Sequence, residues 1–273
     1  MWDIRKDKPP GHPSYTLCLC VSVVRIVLVS ISENLARIRE RIALAALRAR
    51  RRPESIALMA VSKTQPADSI REAYEAGQRL FGENRVQEFA AKHAQLGAAS
   101  PAVAPAAVCS VFDFELAEFH LIGHLQSNKA KRAAELFDAV DSVDSLPLAE
   151  RLHTFAAATG KRLRVLIEVN VGGEAAKEGL APDSPEIANI VEASARLASL
   201  EVRGLMTVPP FTEDPEGARP FFRRLRQLRD QLQARTGVEL PELSMGMSHD
   251  FEVAIEEGST CVRVGTAIFG ARE

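Results

Sequence analysis

The sequence predicts a single-domain (β/α)8 TIM barrel. Three observations support this fold class: short apolar segments alternate with helical segments, eight such apolar segments occur, and 273 residues is a usual length for this barrel. Such alternation favours parallel strands joined by right-handed crossovers. An open doubly wound sheet is the alternative that the same alternation allows.

The first half of the chain supplies an opening helix and four strand–helix pairs. Ser30 and Glu33 match a capping box, and apolar residues at helical spacing follow. The predicted strands comprise residues 56–61, 80–82, 119–122 and 139–143. The helices that follow them are predicted at residues 66–77, 84–96, 129–136 and 146–158.

The second half continues the same alternation. Its predicted strands comprise residues 163–171, 202–208, 243–245 and 261–264. Helices are predicted between them at residues 184–198, 221–232 and 251–257. Residues 97–118 do not fit, because an Ala/Pro-rich run typical of a flexible surface loop interrupts the pattern before the third strand. We therefore expect a barrel over residues 30–273 with a loop insertion at 97–118.

The N-terminal residues 1–29 are expected to be an appendage, either disordered or the product of a start codon assigned too early. Arg5, Lys6 and Lys8 precede an apolar stretch, as in a secretory signal. However, Arg25 interrupts that stretch, no cleavage-site pattern follows, and its length is marginal for a membrane span. A signal-like or membrane-contacting segment is the alternative.

Composition limits the classes of partner. The formal net charge is −2 and 26% of residues are charged, so no basic field points to nucleic acid. The four cysteines show no metal-ligand spacing, and we predict neither a metal site nor disulfides. A reducing cytoplasm and small-molecule partners are expected, with the chain a monomer or a weak dimer.

Lys63 stands where the first predicted strand gives way to a loop. The C-terminal ends of barrel strands carry the binding and catalytic groups. A lysine there can lose part of its hydration, which leaves a neutral amine able to bond to an aldehyde. A solvated surface lysine is the alternative.

Two short loops rich in glycine and hydroxyl groups are predicted after the seventh and eighth strands, where barrels commonly hold phosphate. Their sequences are SMGMS at residues 244–248 and VGT at residues 264–266, and either alone could be an ordinary turn. Together with Lys63 on the strand next to the eighth, they fit pyridoxal 5'-phosphate (PLP). The groups expected to hold its phosphate are Ser244, Ser248, Gly265 and Thr266.

Arg263 lies in the eighth strand, where alternation can place it on the inner face. Beside the cofactor, a guanidinium would donate to the pyridine nitrogen and oppose its protonation, which would weaken the ring as an electron sink. A salt bridge to a barrel carboxylate such as Glu168 is the alternative.

Several motifs, taken in order along the chain, resemble the pyridoxal phosphate homeostasis protein family, which is similar to the N-terminal barrel domain of alanine racemase. These motifs are AVSKT at 60–64, FGEN at 81–84, HLIGHLQSNK at 120–129, RGLM at 203–206, SMGMS at 244–248 and VRVGTAIFG at 262–270. The resemblance covers residues 30–273.

The resemblance implies a PLP fold-type III-like barrel that holds the cofactor as an internal aldimine on Lys63. It implies that Arg263 faces the pyridine nitrogen, that the two loops take the phosphate, and that Asn84 and Met206 line the cofactor. The sequence departs from the family pattern in residues 1–29, in the length of 97–118, at Phe119 and at His249.

The histidines have more than one interpretation. His249 and Asp250 could form an oriented acid/base pair, although a polar residue in the first turn of a helix is the simpler interpretation. His120 and His124 are predicted to be packing and polar groups at a strand end, not metal ligands.

A racemase needs a second base opposite the lysine. In alanine racemase a tyrosine from an additional β-domain takes this role, whereas this chain ends three residues after Gly270 and we expect no such domain. Tyr15 and Tyr74 are not credible bases. We therefore predict a non-catalytic carrier that stores, buffers or delivers PLP to PLP-dependent apo-enzymes and so influences amino-acid and keto-acid balance.

Two alternatives to the carrier remain. The first is a racemase-type enzyme whose missing base comes from His249, His120 or a partner subunit. The second is a barrel that binds another phosphorylated ligand without a covalent bond to Lys63.

Overall fold

The computed structural model describes residues 30–97, 112–174 and 177–270. The eight strands are β1 (Ala57–Val61), β2 (Leu80–Glu83), β3 (Glu118–Leu121), β4 (Ala139–Val143), β5 (Leu163–Glu168), β6 (Leu200–Met206), β7 (Glu242–Met247) and β8 (Cys261–Val264). Each strand pairs in parallel with the next along the chain, and β8 pairs with β1 to close the barrel. The predicted (β/α)8 barrel is confirmed, and the open sheet is excluded.

The helices surround the barrel. They are α1 (Ile31–Arg48), α2 (Ala67–Glu75), α3 (Val86–Gly97), α4 (Ala130–Leu136), α5 (Leu146–Ala158), α6 (Pro185–Ala193), α7 (Arg219–Thr236), α8 (Phe251–Glu256) and α9 (Thr266–Phe269). Short 3-10 turns lie at Pro53–Ser55, Ser127–Lys129 and Pro215–Ala218. Among the described helices, none has the length and apolar character needed to cross a membrane.

The opening helix α1 begins as its sequence predicts. Ser30 Oγ accepts a hydrogen bond from the backbone N–H of Glu33, whose carboxylate accepts one from the N–H of Ser30, so the capping box is complete. The buried face of α1 carries Leu35, Ile38 and Ile42. It packs against α8 and α9, so the first described helix meets the last two around the barrel.

Aromatic packing ties α3 to the neighbouring strands. The ring of Phe89 in α3 lies with its centroid 4.5 Å from Phe119 and 4.7 Å from Phe137, and Phe119 in turn stacks 5.2 Å from Phe81. Such pairs add about 0.5–1.5 kcal/mol each beyond the area they bury. This cluster holds α3 against β3 and the end of α4, and it joins β3 to β2.

The loop insertion differs from its prediction at its C-terminal end. Residues 98–111, like residues 1–29, lie outside the described residues, so the expectations for those segments stay predictions. Phe112 and Ala117 are buried, and the Phe112 ring lies 4.5 Å from that of Tyr74. The last part of the insertion therefore belongs to the core, because its aromatic side chains cover α2 and α3.

The seventh strand is longer than predicted, because it pairs with a neighbouring strand at each of its ends. Gly204 of β6 faces Glu242 of β7, and a Cβ at Gly204 would lie 1.8 Å from the Glu242 carbonyl oxygen. The absence of a side chain lets the two backbones approach closely. At its other end β7 pairs with β8, where Met247 lies opposite Arg263, so the strand runs from Glu242 to Met247 and includes most of the segment predicted as a loop.

Candidate functional site

A cavity of about 440 Å³ opens at the C-terminal ends of the strands. Its size lies within the range of small-molecule pockets, about 300–1,000 Å³. Six of the eight predicted site residues line it, namely Lys63, Asn84, Ser248, Arg263, Gly265 and Thr266. They come from the ends of β1, β2, β7 and β8, so the barrel closure brings together groups that lie far apart in the sequence.

The other two predicted site residues, Met206 and Ser244, lie behind the wall of this cavity. Both are fully buried. Ser244 is placed inside the strand because β7 continues to Met247, so its hydroxyl is not part of a phosphate-binding loop. Met206 ends β6 with its side chain in the interior. The prediction that Ser244 belongs to a loop is therefore corrected.

Arg263 points into the barrel, as the alternation of β8 predicts, and is only 3% exposed. Its Nη1 donates to Ser244 Oγ at 2.7 Å, and its Nη2 donates to the carbonyl oxygen of Thr207 at 2.7 Å. Two uncharged oxygens thus fix the plane of the guanidinium at the cavity wall. Ser244 acts on the cavity through Arg263.

Glu168 is a cavity group that the sequence suggested only as a salt-bridge partner of Arg263. It ends β5, is 8% exposed and lines the cavity. Its Oε2 accepts no hydrogen bond from the described part of the chain. Burial raises the pKa of its carboxyl to about 7; the positive charge of Arg263 opposes this shift, and the carboxylates of Asp144 and Glu178 add to it.

A buried ion network underlies the strand end that carries Lys63. Lys92 of α3 donates to the carbonyl oxygen of Ser62 at 2.8 Å, to Glu83 Oε1 at 2.9 Å and to Glu88 Oε1 at 2.7 Å. The hydroxyl of Ser62 also donates to Glu83 Oε1, at 2.7 Å. Burial raises the pKa of Glu83 against the opposing effect of Lys92.

This network holds the residues that immediately precede two cavity groups. Ser62 comes before Lys63, and Glu83 comes before Asn84. On the other side of Lys63, Thr64 has a φ of 65°, and its backbone N–H donates to Glu88. A left-handed conformation is uncommon for threonine and persists only when its surroundings impose it. The helix α3 therefore positions the backbone on both sides of Lys63.

His249 and Asp250, the acid/base pair suggested by the sequence, do not bind each other in the structure. His249 lines the cavity, but its Nε2 lies 3.1 Å and 3.0 Å from the carbonyl oxygens of Thr212 and Glu213. Carbonyls only accept hydrogen bonds, so this nitrogen carries its proton and ties the β6–α7 loop to the site. The Asp250 carboxylate instead accepts from the backbone N–H of Met247, so the two neighbouring side chains have different hydrogen-bond partners.

His120 lies at the other end of the barrel. It lines a separate cavity of about 270 Å³ among the N-terminal ends of the strands. Its Nδ1 is 3.1 Å from Asp141, and although burial lowers the pKa of His120, Asp141 and Glu118 raise it to about 9. This imidazolium is a structural charge inside the barrel and is remote from Lys63.

Comparison with known proteins places these residues in context. Residues 33–273 match the family described as the alanine racemase N-terminal domain. The pyridoxal phosphate homeostasis protein of Aquifex aeolicus is 45% identical over 241 residues, which cover 88% of this chain and 98% of that protein. The pyridoxal phosphate homeostasis protein of Escherichia coli is 42% identical over 251 residues, which cover 89% and 97% of the two chains.

Solved structures show the same likeness. PipY of Synechococcus elongatus, determined with PLP bound, is 37% identical with a TM-score of 0.73 and covers 88% of this chain and 100% of its own. Alanine racemase of Clostridium difficile is 14% identical with a TM-score of 0.61, and the match spans 88% of this chain and 57% of that one. At that identity the likeness to the racemase concerns the fold alone.

Proposed function

Since this chain belongs to the family of pyridoxal phosphate homeostasis proteins, we propose that it binds PLP in the cavity at the C-terminal ends of its strands, with Lys63 as the covalent attachment point. One observation carries the proposal: a single cavity brings together a lysine amine, a buried guanidinium, the hydroxyl-bearing residues Ser248 and Thr266, and Gly265. These donors match an aldehyde, a ring nitrogen and a phosphate.

Each group has a distinct task in this proposal. Lys63 supplies the amine that bonds to the aldehyde carbon, and Ser248 and Thr266 supply hydroxyl donors for the phosphate beside the backbone of Gly265. Arg263 donates toward the ring nitrogen and, as a cation, opposes its protonation. When bound, PLP supplies an electron sink whose strength depends on that protonation.

We further propose that the protein carries the cofactor without turning over a substrate, and so stores, buffers or delivers it. Three features support this. Arg263 is held rigidly by Ser244 and Thr207, which favours a weak electron sink. His120 lies at the opposite end of the barrel, and the Nε2 of His249 is bound to two loop carbonyls.

One observation favours the alternative of racemase-type activity. The carboxyl of Glu168 lies in the same cavity as Lys63, and its pKa of about 7 lets it accept or release a proton near neutral pH. A second proton-transfer group is what racemization requires, so the two functions must be separated by experiment.

The attachment site is tested by borohydride reduction. The absorbance spectrum of the purified protein should change on reduction, and mass spectrometry should find a pyridoxyl group on the peptide that contains Lys63. Lys63→Ala should lose the group, whereas Lys131→Ala, which removes an exposed lysine of α4, should keep it. Trapped cofactor in Lys63→Ala would overturn the assignment, and a bound phosphorylated ligand that borohydride never fixes would favour non-covalent binding.

Carrier and enzyme are separated by incubating the loaded protein with single-enantiomer amino acids. The carrier proposal predicts no turnover approaching about 1 per second, the lower range of ordinary enzymes. Turnover at that rate, abolished by Glu168→Gln, would establish the enzyme instead.

We also propose that the recipients are PLP-dependent apo-enzymes in the cytoplasm. An apo-enzyme mixed with the loaded protein should regain activity faster than with an equal amount of free PLP if transfer is direct. Equal rates would show that transfer proceeds through solution.

A further inference from the structure

Three polar side chains from consecutive loops meet at the rim of the cavity. His124 follows β3, Asp144 follows β4, and Glu178 lies in the segment after β5. One ligand atom from each lies within 4.8 Å of the others, and His124 also lines the cavity. The parallel barrel thus brings one imidazole and two carboxylates to one point.

The distances within this rim triad match those between neighbouring ligands of one ion. His124 Nδ1 lies 3.2 Å from Asp144 Oδ2 and 3.5 Å from Glu178 Oε2. With metal–ligand bonds of about 2.1 Å, adjacent ligands lie about 3.0 Å apart in an octahedron and about 3.4 Å apart in a tetrahedron. The other oxygen of Asp144 accepts from Ser145 Oγ at 3.3 Å, which orients the carboxylate toward His124.

The charge around the rim triad is a second, independent observation. The rim triad itself holds two carboxylates against a single imidazole. Glu168 lines the same cavity and is more than nine-tenths buried, and no described residue donates a hydrogen bond to its Oε2. Burial raises the pKa of this carboxyl, and the nearby carboxylates of Asp144 and Glu178 raise it further. Arg263 attracts the Glu168 carboxylate, whereas Asp144 and Glu178 repel it, and a cation at the rim would offset that repulsion.

We propose that His124, Asp144 and Glu178 bind a divalent first-row transition-metal ion such as Zn²⁺ at the mouth of the cavity. An imidazole nitrogen with two carboxylate oxygens is a ligand set for Zn²⁺ and its neighbours, whereas Mg²⁺ and Ca²⁺ take oxygen ligands. Three protein ligands leave at least one coordination position open. This proposal departs from the sequence-based expectation that the chain binds no metal.

Metal titration of the purified full-length protein, stripped with a chelator, tests the site. Zn²⁺ by calorimetry and Co²⁺ by visible absorption should each saturate at one equivalent. His124→Gln, Asp144→Asn and Glu178→Gln should each weaken binding by at least about tenfold, the loss seen when even an outer partner of a ligand is removed. Asp183→Asn, which removes an exposed carboxylate from the same loop as Glu178, should bind Co²⁺ as the unaltered protein does.

Three results would overturn the proposal: no saturable binding of Zn²⁺ or Co²⁺, unchanged affinity in the double variant His124→Gln/Asp144→Asn, or displacement of Co²⁺ by an equal concentration of Mg²⁺. Circular dichroism of each variant shows that it is folded. The titration does not require bound PLP, so its outcome is independent of the function proposed above.

Discussion

Replacing Glu168 with glutamine should stabilise the folded protein at pH 8 and leave its stability at pH 4 nearly unchanged. Burial, with help from Asp144 and Glu178, raises the pKa of this carboxyl from 4.5 to about 7. The folded state therefore prefers the protonated form more strongly than the unfolded chain does. The stability that this preference contributes is present below pH 4.5 and is lost as the pH rises through about 7.

The size of the effect follows from the two pKa values. At about 1.4 kcal/mol per pH unit, ionising Glu168 costs the folded state about 3 kcal/mol more than it costs the unfolded chain. Glutamine has the same shape and cannot ionise, so Glu168→Gln should gain up to about 3 kcal/mol at pH 8. Relative to the unaltered protein, the gain should shrink steadily between pH 7 and pH 4.5.

Urea unfolding of the PLP-free protein at a series of pH values measures this difference. The matched control is Glu192→Gln, which removes an exposed carboxylate from α6 and should change stability equally little at every pH. Comparing the two variants cancels the general effect of removing one negative charge.

Two outcomes would refute the reasoning. If Glu168→Gln were no more stable than the unaltered protein at pH 8, Glu168 would not be penalised by burial. If it gained the same amount at pH 4 and pH 8, the effect would come from packing or hydrogen bonding and not from ionisation.

Two further predictions concern the scaffold around the site. Lys92→Met should lower the free energy of unfolding by about 3–5 kcal/mol, because it leaves the fully buried Glu83 without its cation. The double variant Lys92→Met/Glu83→Leu should recover much of that loss in urea unfolding. No recovery would show that the loss does not come from the unpaired charge of Glu83. Gly204→Ala should cost about 3 kcal/mol, the upper end of the usual range for overpacking, because its Cβ would lie 1.8 Å from a backbone carbonyl oxygen of β7. In the control Gly97→Ala the new Cβ would meet no atom closer than 3.8 Å, so stability should hardly change. Thermal unfolding measures both variants. Equal losses of stability would show that β6 and β7 can move apart to admit the methyl group.

Local sequence patterns predicted most of the barrel because each element obeys its own periodicity. The capping box at Ser30 and the apolar spacing of α1 are properties of neighbouring residues, and the structure reproduces both. The strand β4 and the helix α5 begin and end where their patterns predict. Lys63 and Arg263 were also recognisable, since their positions at a strand end and on the inner face follow from local alternation.

The predictions that failed depend on contacts between distant segments. β7 is longer than its apolar run because its last residues pair with β8, where Met247 lies opposite Arg263, and Ser244 therefore lies in the wall behind Arg263 and not in a loop. The packed end of the insertion, at Phe112, depends on the ring of Tyr74. No local pattern contains either relationship.

By itself the sequence determined the fold class, the place of Lys63 at the mouth of the barrel and the inward direction of Arg263, because strand order and alternation follow from local patterns. Only the tertiary structure decided which charged groups of the site lie close together and how strongly they are buried. The raised pKa of Glu168, the charges that hold the backbone around Lys63, and the approach of His124 to Asp144 and Glu178 all arise from groups brought together by closure of the barrel. Burial and Coulomb energy depend on distances in space, which the order of residues along the chain does not contain.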